Sequence, residues 1–419
     1  MQSVAEAVRR ILEQAIILGS EQVSLGNSLF RTLARDLVTS EDSPRFDKAM
    51  MDGFVVNLDF AESDMPEGDP LRFDIVETIT AGRVSTRVLH QGEAAHIMTG
   101  SPIPQGGQCV VPVESALPDP QDPGAVLIPL HTLKRENHIL RRGAIARSGT
   151  NLLRAGCRLQ PQQLAAIAES GFSELPVSII PKVAVLATGD ELVDVGQTLP
   201  SGMIRNSNEP MLLAQVKASG ADGIPLGIAR DSVESLQPRI AEGLKYDVLL
   251  LSGGVSAGIM DLVPSQLAAA GVQQIFHGVK MKPGKPLWFG ILSRNHSEGT
   301  MQPRRTYVFG LPGNPVSSLA CFELFVRPLL QMLQGQPATR SVQASLTTDF
   351  SIKGDRPVYQ PSLIFSNAGK LAAQPIAWSS SSDLKATVEA NGMIELLPEH
   401  GPYQSGHIVE AWLWGDQRI

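Results

Sequence analysis

From residue 181 onward, short apolar runs alternate with stretches at helical spacing, and this alternation restricts the fold more than any other feature of the chain. The runs are Lys182-Val183-Ala184-Val185-Leu186-Ala187, Gly223-Ile224-Pro225-Leu226, Tyr246-Asp247-Val248-Leu249-Leu250-Leu251 and Thr306-Tyr307-Val308-Phe309; helical patterns cover 210–219, 233–244 and 316–330. Strands of a parallel sheet are covered on both faces and read as near-continuous apolar runs. The pattern therefore predicts a doubly wound α/β domain over residues 179–334. Ligands of such a sheet gather at the carboxyl ends of its strands.

The rest of the chain has a different texture. Val4, Val8, Ile11, Leu12, Ala15 and Ile16 fall at helical spacing, and Phe30, Leu33, Ala34 and Leu37 extend the pattern. Residues 161–170 form a second helical stretch, predicted to pack with the first in a helical linker domain of 1–45 plus 143–178. Between them, 46–142 breaks into short β-like runs cut by Gly and Pro, which predicts a β-rich insert. A C-terminal β domain is expected over 335–419. The fold class is thus multidomain α/β, and 419 residues suit about two to four domains.

Composition removes several classes of function. With 43% hydrophobic and 18% charged residues, neither wholesale disorder nor a coiled coil fits. A net charge of −7 opposes a broad nucleic-acid surface, although one pocket can still bind an anion against the global field. Cys109, Cys157 and Cys321 lie far apart without a C-x-x-C pair, so neither a zinc site nor a disulfide framework is expected, and a cytoplasmic location follows as the default. No signal-peptide core is visible at the start, and no apolar run approaches the roughly 20 residues of a membrane span.

Three groups of residues carry possible chemistry. Ser252-Gly253-Gly254-Val255-Ser256-Ala257-Gly258 follows a strand and precedes a probable helix from about Asp261, an arrangement that presents backbone N–H groups to an anion. Its last five residues also satisfy G-x-S-x-G, which leaves a serine hydrolase at Ser256 as a competing reading with His400 and His407 as candidate bases. Lys282-Pro283-Gly284-Lys285-Pro286 sets two ammonium groups on a stiff turn suited to an oxyanion. Asp190 and Glu191 follow the strand ending at Thr188, Asp231 follows the run around Gly227-Ile228, and Asp261 follows the glycine loop, so parallel strands would bring them to one edge. Carboxylates beside phosphate need a bridging hard cation, and Mg²⁺ binds through one or two carboxylates plus phosphate oxygens. Two further motifs read as local structure: Leu311-Pro312-Gly313-Asn314-Pro315-Val316-Ser317 as a turn with Asn314 capping a helix, and Met51-Asp52-Gly53-Phe54 as a hairpin turn.

Together these segments resemble the molybdopterin molybdenumtransferase family of the MoeA and gephyrin E-domain type. The matching set adds Ala49 and Met50 before Met51, Ile97-Met98-Thr99-Gly100-Ser101-Pro102, Ala187-Thr188-Gly189-Asp190-Glu191-Leu192 and Asn206-Ser207-Asn208, in family order along nearly the whole chain. The resemblance implies four subdomains, a homodimer, and a site shared between the α/β domain of one subunit and the insert and linker region of the other. It implies insertion of molybdate into adenylylated molybdopterin with release of AMP, dependent on Mg²⁺. Carried over by position, Asp52, Glu191, Asp231 and Asp261 would be catalytic, the last three holding the cation. Thr99, Asp190, Ser252, Gly253, Gly254, Ser256, Lys282, Lys285, Pro286, Pro312, Gly313, Asn314, Pro315, Ser317 and Arg356 would bind substrate, with Ser380 or Ser382 contributing. A molybdopterin adenylyltransferase and molybdoenzymes are the implied protein partners; nucleic acid and membrane are not.

The sequence departs from the family pattern at several points. Ala144 and Ile145 follow Gly143 where an acidic pair is common, and Leu140 stands for an arginine. Gly278 replaces a lysine for which Lys280 is near enough to compensate, His96 and Gln108 replace an arginine and an aspartate, and Asn206 replaces an aspartate. Lost charge at these places raises the alternative of a divergent, non-catalytic cofactor-binding paralogue.

Overall fold

The computed structural model describes residues 1–59, 70–255, 262–294 and 304–415. The chain forms two compact units: residues 1–35, 155–160 and 174–419 make the first, and 36–154 with 161–173 make the second.

A six-stranded sheet organises the first unit, in the order Asp222–Ala229, Lys182–Thr188, Val248–Ser252, Arg304–Leu311, Trp288–Arg294 and Gln273–His277. The first four strands are parallel, as their apolar runs predicted; the last two add antiparallel pairs that the sequence reading did not contain. Val248, Leu249, Leu250 and Leu251 are fully buried because helices cover both faces. Asn208–Ala218 and the helical run Pro315–Leu333 pack on one side, where Val216, Leu250, Phe309, Phe322 and Leu329 share a core. Val233–Gly243 and Val263–Ala269 pack on the other, with Leu236, Ile240, Leu267 and Leu251. The run Pro315–Leu333 is long and apolar enough to cross a membrane, but its apolar length is spent on the core, 83% of it being buried.

The helical reading of 1–45 holds only for Val4–Leu12, which Ser3 caps by accepting the Glu6 N–H. Beyond it, Ser20–Ser24 pairs antiparallel with Glu174–Ser178, and Leu33 bonds to the Cys157 carbonyl. Long-range pairing overrides the weak helical spacing there. Ala7 and Ile11 enter the core with Phe322 and Phe325. A closed five-stranded barrel of Val342–Leu346, Val358–Asn367, Lys370–Pro375, Gly392–Leu396 and Ile408–Leu413 completes the unit.

The second unit is built on a mixed six-stranded sheet ordered Cys109–Pro112, Gly53–Val56, Glu93–Ile97, Leu71–Ile79, Ala125–Ile128 and Leu117–Pro118. Asp52-Gly53 is not a hairpin turn. Gly53 starts a strand so close to its neighbour that a Cβ would lie 1.9 Å from the Val111 carbonyl oxygen, so the glycine answers a close approach of backbones.

Candidate active site

The carboxyl ends of the parallel strands open onto a cleft of about 640 Å³. Thr188, Gly189 and Glu191 come from the end of one strand, Asp231 follows Asp222–Ala229, and Ser252, Gly253 and Gly254 follow the central strand. Pro312, Gly313, Asn314 and Pro315 close the far wall. Gly253 adopts φ +104° and Gly254 φ +63°; a Cβ on Gly253 would stand 2.5 Å from the Thr188 carbonyl oxygen, so only glycine lets this loop lie against the neighbouring strand end.

The carboxylates divide by role. Glu191 and Asp231 line the cleft, whereas the Asp190 carboxylate accepts the Asp231 backbone N–H at 3.1 Å and so shapes the loop. Arg230, which the sequence reading passed over, donates to the carbonyls of Gly189, Asp190 and Leu192 at 3.3, 2.9 and 3.0 Å and fixes the Glu191 turn. Two hard carboxylates in a polar cleft would suit Mg²⁺, which binds through one or two carboxylates plus phosphate oxygens. Among the described residues no group of three or more acidic, His or Cys side chains could hold an ion by itself. Asp261 and Ser256 lie outside the described residues. Arg205 also lines the cleft, and its Nε donates to the Val195 carbonyl at 3.1 Å.

A second cavity of about 480 Å³ adjoins the cleft, sharing Pro286, Pro312 and Asn314 with it. Lys282, Lys285, Ser317, Arg356 and Ser380 line it. Its lysine loop is fastened at both ends: the Lys282 N–H donates to the Pro357 carbonyl and the Lys282 carbonyl accepts the Tyr359 N–H, each at 2.8 Å, while the Lys285 carbonyl accepts the Val279 N–H at 2.9 Å. Arg356 donates to the Met281 carbonyl at 3.2 Å. At the turn, Gly284 has φ +109° and sits where a Cβ would be 2.7 Å from Cys321 Sγ. Burial pushes the Cys321 thiol up, so it packs as a neutral group. The result is two exposed ammonium groups on a rigid rim above a buried serine.

Asn314 occupies the helix N-cap position, yet its side chain does not cap. It donates to Ser381 Oγ at 2.7 Å and accepts from Ser382 Oγ at 3.0 Å, while the Ser381 carbonyl takes the orphan N–H of Val316. The serine run of the C-terminal region thereby satisfies the helix end that Asn314 was expected to satisfy, and the two serines separate: Ser380 faces the lysine cavity, Ser382 the carboxylate cleft.

In the second unit, Asp52 and Thr99 meet. The Asp52 carboxylate accepts the Thr99 N–H at 2.6 Å and its hydroxyl at 2.7 Å, and these bonds hold it below the usual carboxylate range. Among the departures, Asn206 donates to Glu209 at 2.9 Å, where an aspartate would oppose a second carboxylate. Gly278 has φ +90°, a conformation a lysine adopts only with strain, and Lys280 is exposed. Leu140 lies on a two-residue strand paired with Lys48, and Ile145 is exposed. His407 accepts the Gln404 N–H within the C-terminal region, and nothing described links it to a serine nucleophile.

Residues 2–171 match the model of the MoeA N-terminal region (domain I and II), 184–332 a probable molybdopterin binding domain, and 343–414 the MoeA C-terminal region (domain IV). The molybdopterin molybdenumtransferase of Bacillus subtilis is 33% identical over 98% of this chain and 93% of its own length. One from Staphylococcus aureus (strain N315) is 31% identical over 98% and 95%. A crystal structure of a molybdopterin biosynthesis MoeA protein from Pyrococcus horikosii superposes with a TM-score of 0.80 at 29% identity, covering 99% of both chains.

Proposed function

Because this chain belongs to the molybdopterin molybdenumtransferase family, enzymes of molybdenum cofactor biosynthesis, we propose that its two adjoining cavities divide the work of inserting molybdate into adenylylated molybdopterin with release of AMP. The observation that carries this reading is the shared wall: a cleft with Glu191 and Asp231 and a cavity with Lys282 and Lys285 meet at Pro286, Pro312 and Asn314. A phosphoanhydride and a tetrahedral oxyanion can then lie side by side.

The glycine loop at Ser252 to Gly254 accommodates close approach of the substrate to the backbone. Glu191 and Asp231, with Asp261, would hold Mg²⁺, and the chemistry it would supply is neutralisation of phosphate charge. Lys282 and Lys285 attract molybdate, while Ser317, Arg356 and the bounding prolines limit its position. Preorganised cations of this kind stabilise developing charge without reorganising during the reaction. Asp52 and Thr99 would reach the substrate from the insert of a second subunit in a homodimer. We retain the four-part division of the chain at 45, 142, 178 and 334 as the working description of its subdomains, and a cytoplasmic setting as its place.

The test is AMP release by the purified full-length protein from adenylylated molybdopterin, with molybdate and Mg²⁺ added separately and together. Release that needs both supports the reading. Release without molybdate, or none under any condition, contradicts it.

A further inference from the structure

Asn208 belongs to a motif whose function the reading above leaves open. It is the first residue of the helix Asn208–Ala218, 9% exposed, and it lines the carboxylate cleft. Its Nδ2 donates to Ser252 Oγ and to the Gly313 carbonyl, both at 2.7 Å, so both amide hydrogens are used. The carbonyl can only accept, which fixes the orientation of the amide. Oδ1, by contrast, is buried with no hydrogen-bond partner among the described residues. An acceptor left unpaired in the interior weakens the fold, so the side chain is held for what its nitrogen joins.

What it joins are the two loops that form the reacting region. Ser252 opens the glycine loop, and Gly313 precedes Asn314, whose far side is tied to Ser381 and Ser382. The wall common to both cavities is thus gripped by Asn208 on one side and by the serine run on the other. The turn carrying Asn208 is itself braced: Asn206 and Glu209 exchange hydrogen bonds at 2.9 and 3.2 Å, and Glu209 accepts the Gly227 N–H at 3.0 Å.

We propose that Asn208 is a positioning residue that sets the spacing between the glycine loop and the shared wall, and hence between the phosphate to be displaced and the oxyanion. This rests on the functional reading above. Misplacement of one wall by a fraction of an ångström lowers turnover far more than it lowers affinity for either ligand alone.

The variants are Asn208→Asp, which keeps the volume but turns an oxygen toward the Gly313 carbonyl, and Asn208→Ala, which removes both links. Four measurements are compared with wild type: kcat for AMP release, AMP and molybdate binding measured separately, the thermal midpoint, and hydrogen exchange of peptides spanning 248–255 and 311–318. The expected result for Asn208→Asp is a kcat at least 10-fold lower, each ligand bound within threefold of wild type, and faster exchange confined to both peptides. Unchanged exchange, or turnover within twofold of wild type, overturns the proposal. So does a parallel loss of both affinities and of thermal stability, the signature of a merely structural role. Should wild type release no AMP, the functional reading fails by itself, and the exchange measurement still decides whether Asn208 ties the loops.

Discussion

Gly253→Ala places a methyl carbon 2.5 Å from the Thr188 carbonyl oxygen and 2.9 Å from its hydroxyl, in a backbone with φ +104°. Ordinary contact begins near 3.4 Å. The obstructing oxygen belongs to a strand end bonded into the sheet, so relief requires the glycine loop to retreat by about 0.9 Å, a shift for which a 10²-fold rate loss is a reasonable scale. Stability falls as well: a positive φ costs an L-residue about 1–2 kcal/mol, and overpacking about 1–3 kcal/mol, for a combined loss of about 2–5 kcal/mol. The matched control is Gly313→Ala. Its new Cβ meets only the Gly253 Cα, at 3.7 Å, and it should unfold at the same urea concentration as wild type. Steady-state AMP release and urea titration read the two effects. A Gly253→Ala protein that turns over within twofold of wild type with an unchanged urea midpoint would refute the claim that the loop's closeness to Thr188 is functional.

Other outcomes follow from the same structure. Gly278→Lys, which would restore the residue typical of the family, should lower stability through its φ of +90° and leave turnover no higher; urea titration with the AMP assay checks both. Thr99→Ala removes the hydroxyl bond to Asp52 and keeps the backbone one, so the Asp52 carboxyl should move up toward its ordinary range in a carbon-detected NMR titration. Since the folded value is the depressed one, the stability contributed by this carboxylate is present above the ordinary carboxylate pKa and lost as pH falls through the lowered value; the variant should lose less on acidification. Glu395 shows the opposite sign. Burial raises its pKa despite the bond from Tyr359, and Glu410 and Glu399 add to the shift, so its contribution is complete below the ordinary carboxylate value and lost as pH rises through the raised one. Glu395→Gln should therefore raise the melting temperature at pH 7, with the gain shrinking toward pH 4.

The parallel strands were legible because burial on both faces writes itself as runs such as Val248 to Leu251, and the acids at their ends followed from topology alone. Lys282 and Lys285 were legible as an oxyanion turn. What pairing decides over a distance was not: Ser20–Ser24 finds Glu174–Ser178 across the chain, and no local signal at residue 20 records that partner. The same holds for Asn314, whose sequence context is a complete helix start, while its side chain serves the serine run. Arg230 was missed, and Asn208 entered only as part of a matching motif without a role, because their bonds go to backbone carbonyls and a hydroxyl elsewhere in the chain, which carry no sequence signature. The Gly278 departure reads as lost charge in the sequence and as a backbone requirement in the fold.

If one wall separates two jobs, a double comparison of substrate dependence reveals the division. Steady-state AMP release would be measured against molybdate and against Mg²⁺ for wild type, Lys282→Gln, Lys285→Gln, Glu191→Gln and Asp231→Asn. The lysine variants should need at least 10-fold more molybdate with their Mg²⁺ dependence unchanged, and the carboxylate variants more Mg²⁺ with their molybdate dependence unchanged. Lysine and carboxylate variants that shift both dependences alike, or molybdate dependence that follows Glu191 and not the lysines, would contradict it.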